Sequence, residues 1–241
     1  MKSINHKTIS FTMEDFEKGL MLAGLISPSD VCELEERRTV EAHEEQLKQV
    51  KSKIYFKRVV LAAEIAYQLY AEPTFGRVKF QKLVYLCEHA AEMDLQSRYK
   101  KLAAGPFDNK FMHTIETEFK RNKWFDVKKL REGKYTRSVY FPLENVLKYQ
   151  SYYTSYFPNE SASIARIIEL FRSAKTDFAE IAATLYACRL ELFTTNQAVK
   201  FENILSLFYD WAIEKERFDR ALVQSVWKWM VEKELIEEVD K

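Results

Sequence analysis

Between Lys120 and Arg137 the chain collects eight basic residues, Lys120, Arg121, Lys123, Lys128, Lys129, Arg131, Lys134 and Arg137, against two acidic ones, Asp126 and Glu132. Trp124, Phe125 and Tyr135 lie among them. Cations neutralise phosphates and aromatic faces stack on bases, so these residue types together point to nucleic acid, with Trp124 counted among the candidate contacts. Two other readings use the same residues. Lysines blunt an exposed sheet edge, and a basic patch also meets an acidic protein surface, including this chain's own acidic N-terminal part.

Other chemistry finds little support in residue spacing. His6, His43, His89 and His113 fall in no HExxH or HxH pattern, and Cys87 and His89, two apart, point to different sides of a helix. No metal site is expected. The chain has five glycines and neither GxGxxG nor GxxxxGK[ST], so no loop is suited to cradling a nucleotide phosphate. No GxSxG elbow sets up a nucleophilic serine, and the carboxylate pairs Glu116/Glu118 and Glu237/Glu238 do not share a helical face. The expectation is a protein without catalytic residues or cofactor.

The totals agree with a folded chain of one or two domains: 241 residues, of which 47% are apolar and 14% aromatic, suffice for a core. A net charge of +1 gives no bulk attraction to DNA, RNA or anionic membranes. Cys32, Cys87 and Cys188 are odd in number and widely spaced, as in a reduced intracellular protein. MKSINHKTISFTMEDFEK lacks the apolar stretch of a signal peptide, and no apolar run approaches the ~20 residues that span a bilayer. A cytoplasmic protein with no membrane association is expected.

The elements that must position these residues read as mainly α: a multi-helix bundle with one β-hairpin in the central domain and a C-terminal helical domain. A short helix runs from Thr12 to about Leu25, and Asp30 is read as the cap of the next one. From Val31 to Tyr70 there is no Gly or Pro, which predicts one long helix or two in near-continuation. Its first half is acidic with a thin apolar stripe, Val31, Leu34, Val40, Leu47 and Val50, as in a solvated arm or a coiled-coil-like contact, a homodimer included. The next helix carries a core face of Phe80, Leu83, Val84, Cys87 and Ala91, and leaves Gln81, Tyr85, Glu88 and Glu92, with Lys82 and His89, for surface or buried polar contacts. Gly105-Pro106 reads as a sharp helix entry capped by Asp108, and WFDVKKLREGKYTRSVYFP as a hairpin. YQSYYTSYFPNES is taken as a linker before about four C-terminal helices, with Thr176-Asp177, Thr194-Thr195-Asn196 and Asp219 as caps. The domains expected are an N-terminal arm (1–55), a central domain (56–149) and a C-terminal helical domain (150–241).

Lys79-Phe80-Gln81-Lys82-Leu83-Val84-Tyr85-Leu86, followed by Ala104-Gly105-Pro106-Phe107, resembles the Panacea (SocA-like antitoxin) domain family over roughly Lys57 to Phe141. The family pattern is a K-L-Q-K-L-L-Y helix and then a Gly-Pro pair that opens another helix; here Phe80 stands for the usual Leu. The positions that match are Lys79, Gln81, Lys82, Tyr85, Gly105 and Pro106. FGRVKFQKLVYLCE, AAGPFDNKFM and KWF together are also similar to C-terminal extensions of type I restriction-modification specificity subunits, and DWAIEKERFDRALVQSVWKWM to a tail of restriction-associated proteins. These resemblances imply a helical binding module whose partner is a restriction subunit or a toxin, the latter making the chain a neutralising antitoxin. A DNA-binding regulator or specificity element that uses the basic hairpin is the alternative.

Overall fold

Few glycines and prolines leave long stretches in which nothing opposes helix, and the computed structural model, which describes residues 12–133 and 135–237, is mainly α. The described residues hold nine α-helices, two 3₁₀ segments and two antiparallel strand pairs. The chain divides into two compact units, with the boundary between Lys53 and Ile54.

In the first unit, α1 (Met13–Leu22) starts at a capping box: the Asp15 amide donates to Thr12 Oγ1 at 3.2 Å and the Thr12 amide to Asp15 Oδ2 at 3.0 Å. Helix α2 (Pro28–Leu69) is a single 42-residue helix, and its part up to Lys53 belongs to this unit. Ser27 caps it through the same reciprocal pair with Asp30, so Asp30 closes the box from the third helical position and is not itself the cap. Pro28 comes next as the first helical residue, where its missing N–H costs nothing.

In the second unit α2 continues from Ile54 with Val59, Val60, Leu61, Ala62, Ala63, Ile65, Ala66 and Leu69 all buried. Helix α3 (Arg77–Ala90) packs against α6 (Ser161–Phe171) and α7 (Thr176–Thr194), and every residue from Lys79 to Glu88 is buried. The polar positions of α3 therefore face protein on all sides.

The segments on either side of the large hairpin depart from the sequence reading. Lys100–Leu102 (β1) and Gly105–Phe107 (β2) form a tight antiparallel pair with Lys101 opposite Pro106, so the Gly-Pro corner is a strand end as well as a helix entry. Strands of three residues are too short for alternation to declare itself. The tyrosine-rich segment taken as a linker holds a helix, α5 (Tyr149–Tyr156), anchored by buried Tyr149, whose hydroxyl donates to Glu64 Oε2 at 2.6 Å. Tertiary packing of its rings outweighs its weak propensity.

Helix α4 (Asn109–Arg121) is capped by Asp108, which accepts from the Phe111 amide at 3.0 Å. Strands β3 (Phe125–Glu132) and β4 (Tyr135–Pro142) pair antiparallel from Phe125↔Pro142 to Glu132↔Tyr135, as the alternation predicts. The C-terminal part has α6, α7, α8 (Phe201–Tyr209) and α9 (Arg220–Glu232). Helix α8 ends at Tyr209 and the chain resumes as a 3₁₀ turn, Ile213–Arg217, which brings Lys215 Nζ to 2.8 Å from Glu180 Oε1. Asp219 caps α9 as expected, whereas α7 and α8 begin at Lys175 and Lys200 without a side-chain cap. Thr195 and Asn196 instead close α7, Asn196 at φ +53°. No helix among the described residues is long and apolar enough to cross a membrane.

Candidate functional site

A helix buried on every side must satisfy its polar side chains internally, and α3 does so for Lys79, Gln81 and Lys82 of the motif. Lys79 Nζ donates to Thr74 Oγ1 and to the carbonyls of Arg172 and Ala174, each at 2.8 Å. Gln81 Nε2 and Lys82 Nζ both donate to the Pro106 carbonyl, at 2.8 and 2.7 Å. Gly105 sits at φ +93°, and a Cβ there would lie 2.5 Å from Thr184 Oγ1. Only glycine fits. Thus Lys79, Gln81, Lys82, Gly105 and Pro106 share one interior, with the Gly-Pro carbonyl as acceptor for α3. Tyr85 continues the row, its ring 4.3 Å from His89 and 4.7 Å from Tyr99.

Burial pushes the Lys82 ammonium down to about 7, with Lys215 adding repulsion against the pull of Glu180, and pushes Lys79 down to about 8. Neither lysine is exposed to solvent, and their hydrogen bonds tie α3 to β2 and to the segment between α6 and α7. Their work is to hold the fold.

A second network escaped the sequence reading. Arg58 of α2 donates to Glu88 of α3 and to Asp108 at the head of α4, while its guanidinium lies over the Phe111 ring at 4.1 Å. All three charged residues are buried. One cation between two carboxylates splits them: burial pushes Glu88 up to about 7 despite Arg58, whereas Asp108, although burial opposes it, is held below the usual carboxylate range by hydrogen bonds from Arg58 and the Phe111 amide. Burial also pushes His89 down to about 4, with the Arg58 charge adding to it. Asp108 was legible as a cap; Arg58, one arginine among the cations of α2, carried no signal of its own. Glu180 and Lys215 form a third buried pair, joined by Arg217 at 2.9 Å.

The basic hairpin is built differently. Its base is core: Trp124 and Phe125 are buried, Trp124 lying 6.1 Å from Phe56 and 6.0 Å from Tyr149, so that its ring cannot stack on a base without opening the fold. Lys120, Arg121, Lys123, Lys128, Lys129 and Arg131 are exposed. Three of them meet carboxylates, Arg121 with Glu118 at 2.6 Å, Lys123 with Glu144 at 2.8 Å and Lys128 with Asp126 at 3.6 Å. Alternation divides the cations of the strands: Lys128 and Arg137 lie on one face of the ribbon, Lys129 and Arg131 on the other. Arg137 reaches back to the carbonyls of Glu72 and Phe75 at 3.3 and 3.4 Å. Lys134 lies outside the described residues.

The first unit presents the reverse of an ordinary domain. Among the described residues no apolar side chain before Val59 is buried, and the one buried residue of α1 is a carboxylate, Glu17, paired with Arg38 at 2.6 Å. Met13, Phe16, Leu22, Leu25, Val40 and Val50 are all more than half exposed. Isolated exposed hydrophobics are ordinary; here a whole helical unit, over its described residues, exposes an apolar set and buries no apolar side chain.

Among the described residues no group of three or more His, Cys, Asp or Glu side chains is placed to hold a metal ion. Compared with known proteins, the chain matches no family model, and no curated protein matches it at a significant level.

Proposed function

We propose that the chain is a non-catalytic protein-interaction module of a bacterial restriction-modification or related defence system, with the helical arm before Ile54 as its docking element. One observation carries this reading: among its described residues the arm buries no apolar side chain and leaves Met13, Phe16, Leu22, Leu25, Val40 and Val50 more than half exposed. Covering such a surface is worth about 25 cal/mol per Å² of apolar area, the usual drive for helix-on-helix association. The second unit has its own core and buried ion pairs that cross-link its elements, as a rigid carrier requires. The link to defence systems rests on the likeness of Lys79–Leu86 and Ala104–Phe107 to Panacea domains and of the wider stretch to specificity-subunit extensions. The partner is then a restriction subunit; a toxin is the partner if the chain is an antitoxin.

The test is capture from the native host with nuclease present, using the tagged full chain and identifying co-purifying chains by mass spectrometry. One restriction subunit or one small toxin at near-equal stoichiometry is the expected result. A chain recovered alone would remove the reading.

DNA binding through the hairpin is the second reading, favoured by the exposure of Lys120, Lys129 and Arg131. The carboxylates beside Arg121, Lys123 and Lys128 weigh against it, since each neutralises a cation that a phosphate track would need.

A further inference from the structure

The arm half of α2 is segregated in charge along its length. From Asp30 to Glu45 it carries seven acidic residues against Arg37 and Arg38; from Gln46 to Lys53 it carries Lys48, Lys51 and Lys53 and no acid. Arg38 is already engaged by Glu17 of α1, which leaves the acidic stretch with less internal compensation than its composition states. A shallow groove on that stretch is lined by Glu33, Glu36, Arg37, Val40 and Glu41.

The apolar side chains fall on two lines. Val40, Leu47 and Val50 succeed one another at spacings of seven and three, the seam of a paired helix, and are 58%, 43% and 52% exposed. Val31 and Leu34 lie about half a turn away around the helix, on the side of Arg38.

A seam flanked by acid at one end and lysine at the other specifies its own complement. Two copies laid parallel would set acid against acid and lysine against lysine. Laid antiparallel, with the crossing near Leu47 and Val50, each copy's Glu44, which flanks the seam, meets the other's Lys51 on the same flank, and the interface is isologous, as closed two-fold symmetry requires. We infer that the Val40–Leu47–Val50 seam of the arm binds a second copy of this chain in antiparallel orientation. This rests on the reading of the arm as a docking element, and names the occupant of that seam.

The chain supplies its own probe. Cys32 is exposed on the arm while Cys87 and Cys188 are buried, so a thiol-directed spin label on the folded protein marks Cys32 alone. In an antiparallel pair crossing at Leu47–Val50 the two Cys32 positions stand some 33 residues apart along the axis, about 50 Å at 1.5 Å per residue. In a parallel pair they stand about 10 Å apart.

Sedimentation of the full chain across a concentration series, combined with pulsed dipolar distances between the labels, tests the inference. The expected result is a monomer–dimer equilibrium with a distance of about 40–50 Å, and dimerisation weakened roughly tenfold or more by Leu47→Glu, an exposed position whose substitution leaves the helical circular dichroism unchanged. A dimer with labels within about 20 Å would overturn the orientation. A dimer indifferent to Leu47→Glu, or a monomer at every concentration, would overturn the assignment of the seam. A monomer that still captures another protein through the arm would do so while leaving the interaction reading intact, and thus the two failures are distinguishable.

Discussion

Lys82 Nζ donates to the carbonyl of Pro106 at 2.7 Å, across 24 residues of sequence, and Gly105 beside it occupies a conformation and a space that no side chain fits. The helix motif and the Gly-Pro pair are thus two halves of one packing arrangement. Proline has no N–H of its own, so its carbonyl is the polar group that this corner offers to α3.

Gly105→Ala places a methyl 2.5 Å from Thr184 Oγ1 and forces a residue with a Cβ to φ +93°. Left-handed strain and overpacking together are expected to cost about 2–4 kcal/mol. Urea unfolding measures it. Thr184→Ala in the same chain should return part of that loss, because it removes the clash and leaves the strain; no recovery would show that strain alone acts.

The depressed Lys82 gives a pH signature. Its folded value of about 7 lies below the 10.5 of a free lysine, so between those values the unfolded chain holds the extra proton and stability rises with pH. Lys82→Met removes that rise. The stability of the variant relative to the parent should therefore fall by roughly 2–4 kcal/mol from pH 7 to pH 10, the contribution of Lys79 cancelling because both chains keep it. A constant offset across that window would show that Lys82 is not held neutral inside.

Arg58 is shared by Glu88 and Asp108, and removing it strands two buried carboxyl groups. Arg58→Met is expected to cost about 3–5 kcal/mol in thermal or urea unfolding. Adding Glu88→Gln should recover part of the loss, since one uncompensated charge is then gone; additive losses would argue against a shared network.

These networks also show what the linear chain discloses. The core face of α3, the β3–β4 ribbon, the unbroken α2 and the Asp108 and Asp219 caps are set by periodicity and local chemistry, which act within a few residues. The helix at Tyr149–Tyr156, the three-residue strands at Lys100–Leu102 and Gly105–Phe107, and the break before Lys215 depend on partners 35 to 85 residues away or on elements too short to show a period. The same limit applied to the site. Gln81 and Lys82 stood out as polar residues of a core helix, but that they share one acceptor is a property of the packed fold. The basic stretch, legible as a sum of charge, divides in space between two faces and three carboxylates.

On this account duplex DNA is not the ligand. A mixed-sequence duplex titrated with the full chain at about 50 mM salt should show no binding that falls with log[salt] in the manner of counterion release, and Lys128→Glu/Lys129→Glu/Arg131→Glu should change nothing. Tight, salt-steep binding abolished by that triple change would move the hairpin to the centre of function.

The arm as docking element is tested most directly by repeating the capture from nuclease-treated host extract with two surface variants beside the parent: Leu22→Glu/Leu25→Glu on the arm, outside the seam assigned to a second copy, and Lys128→Glu/Lys129→Glu/Arg131→Glu on the hairpin. Both sets of positions are exposed, so neither variant disturbs a core. The arm variant should lose the co-purifying chain and the hairpin variant should retain it. Retention by the arm variant, with loss from the hairpin variant, would rule out the arm as the docking element.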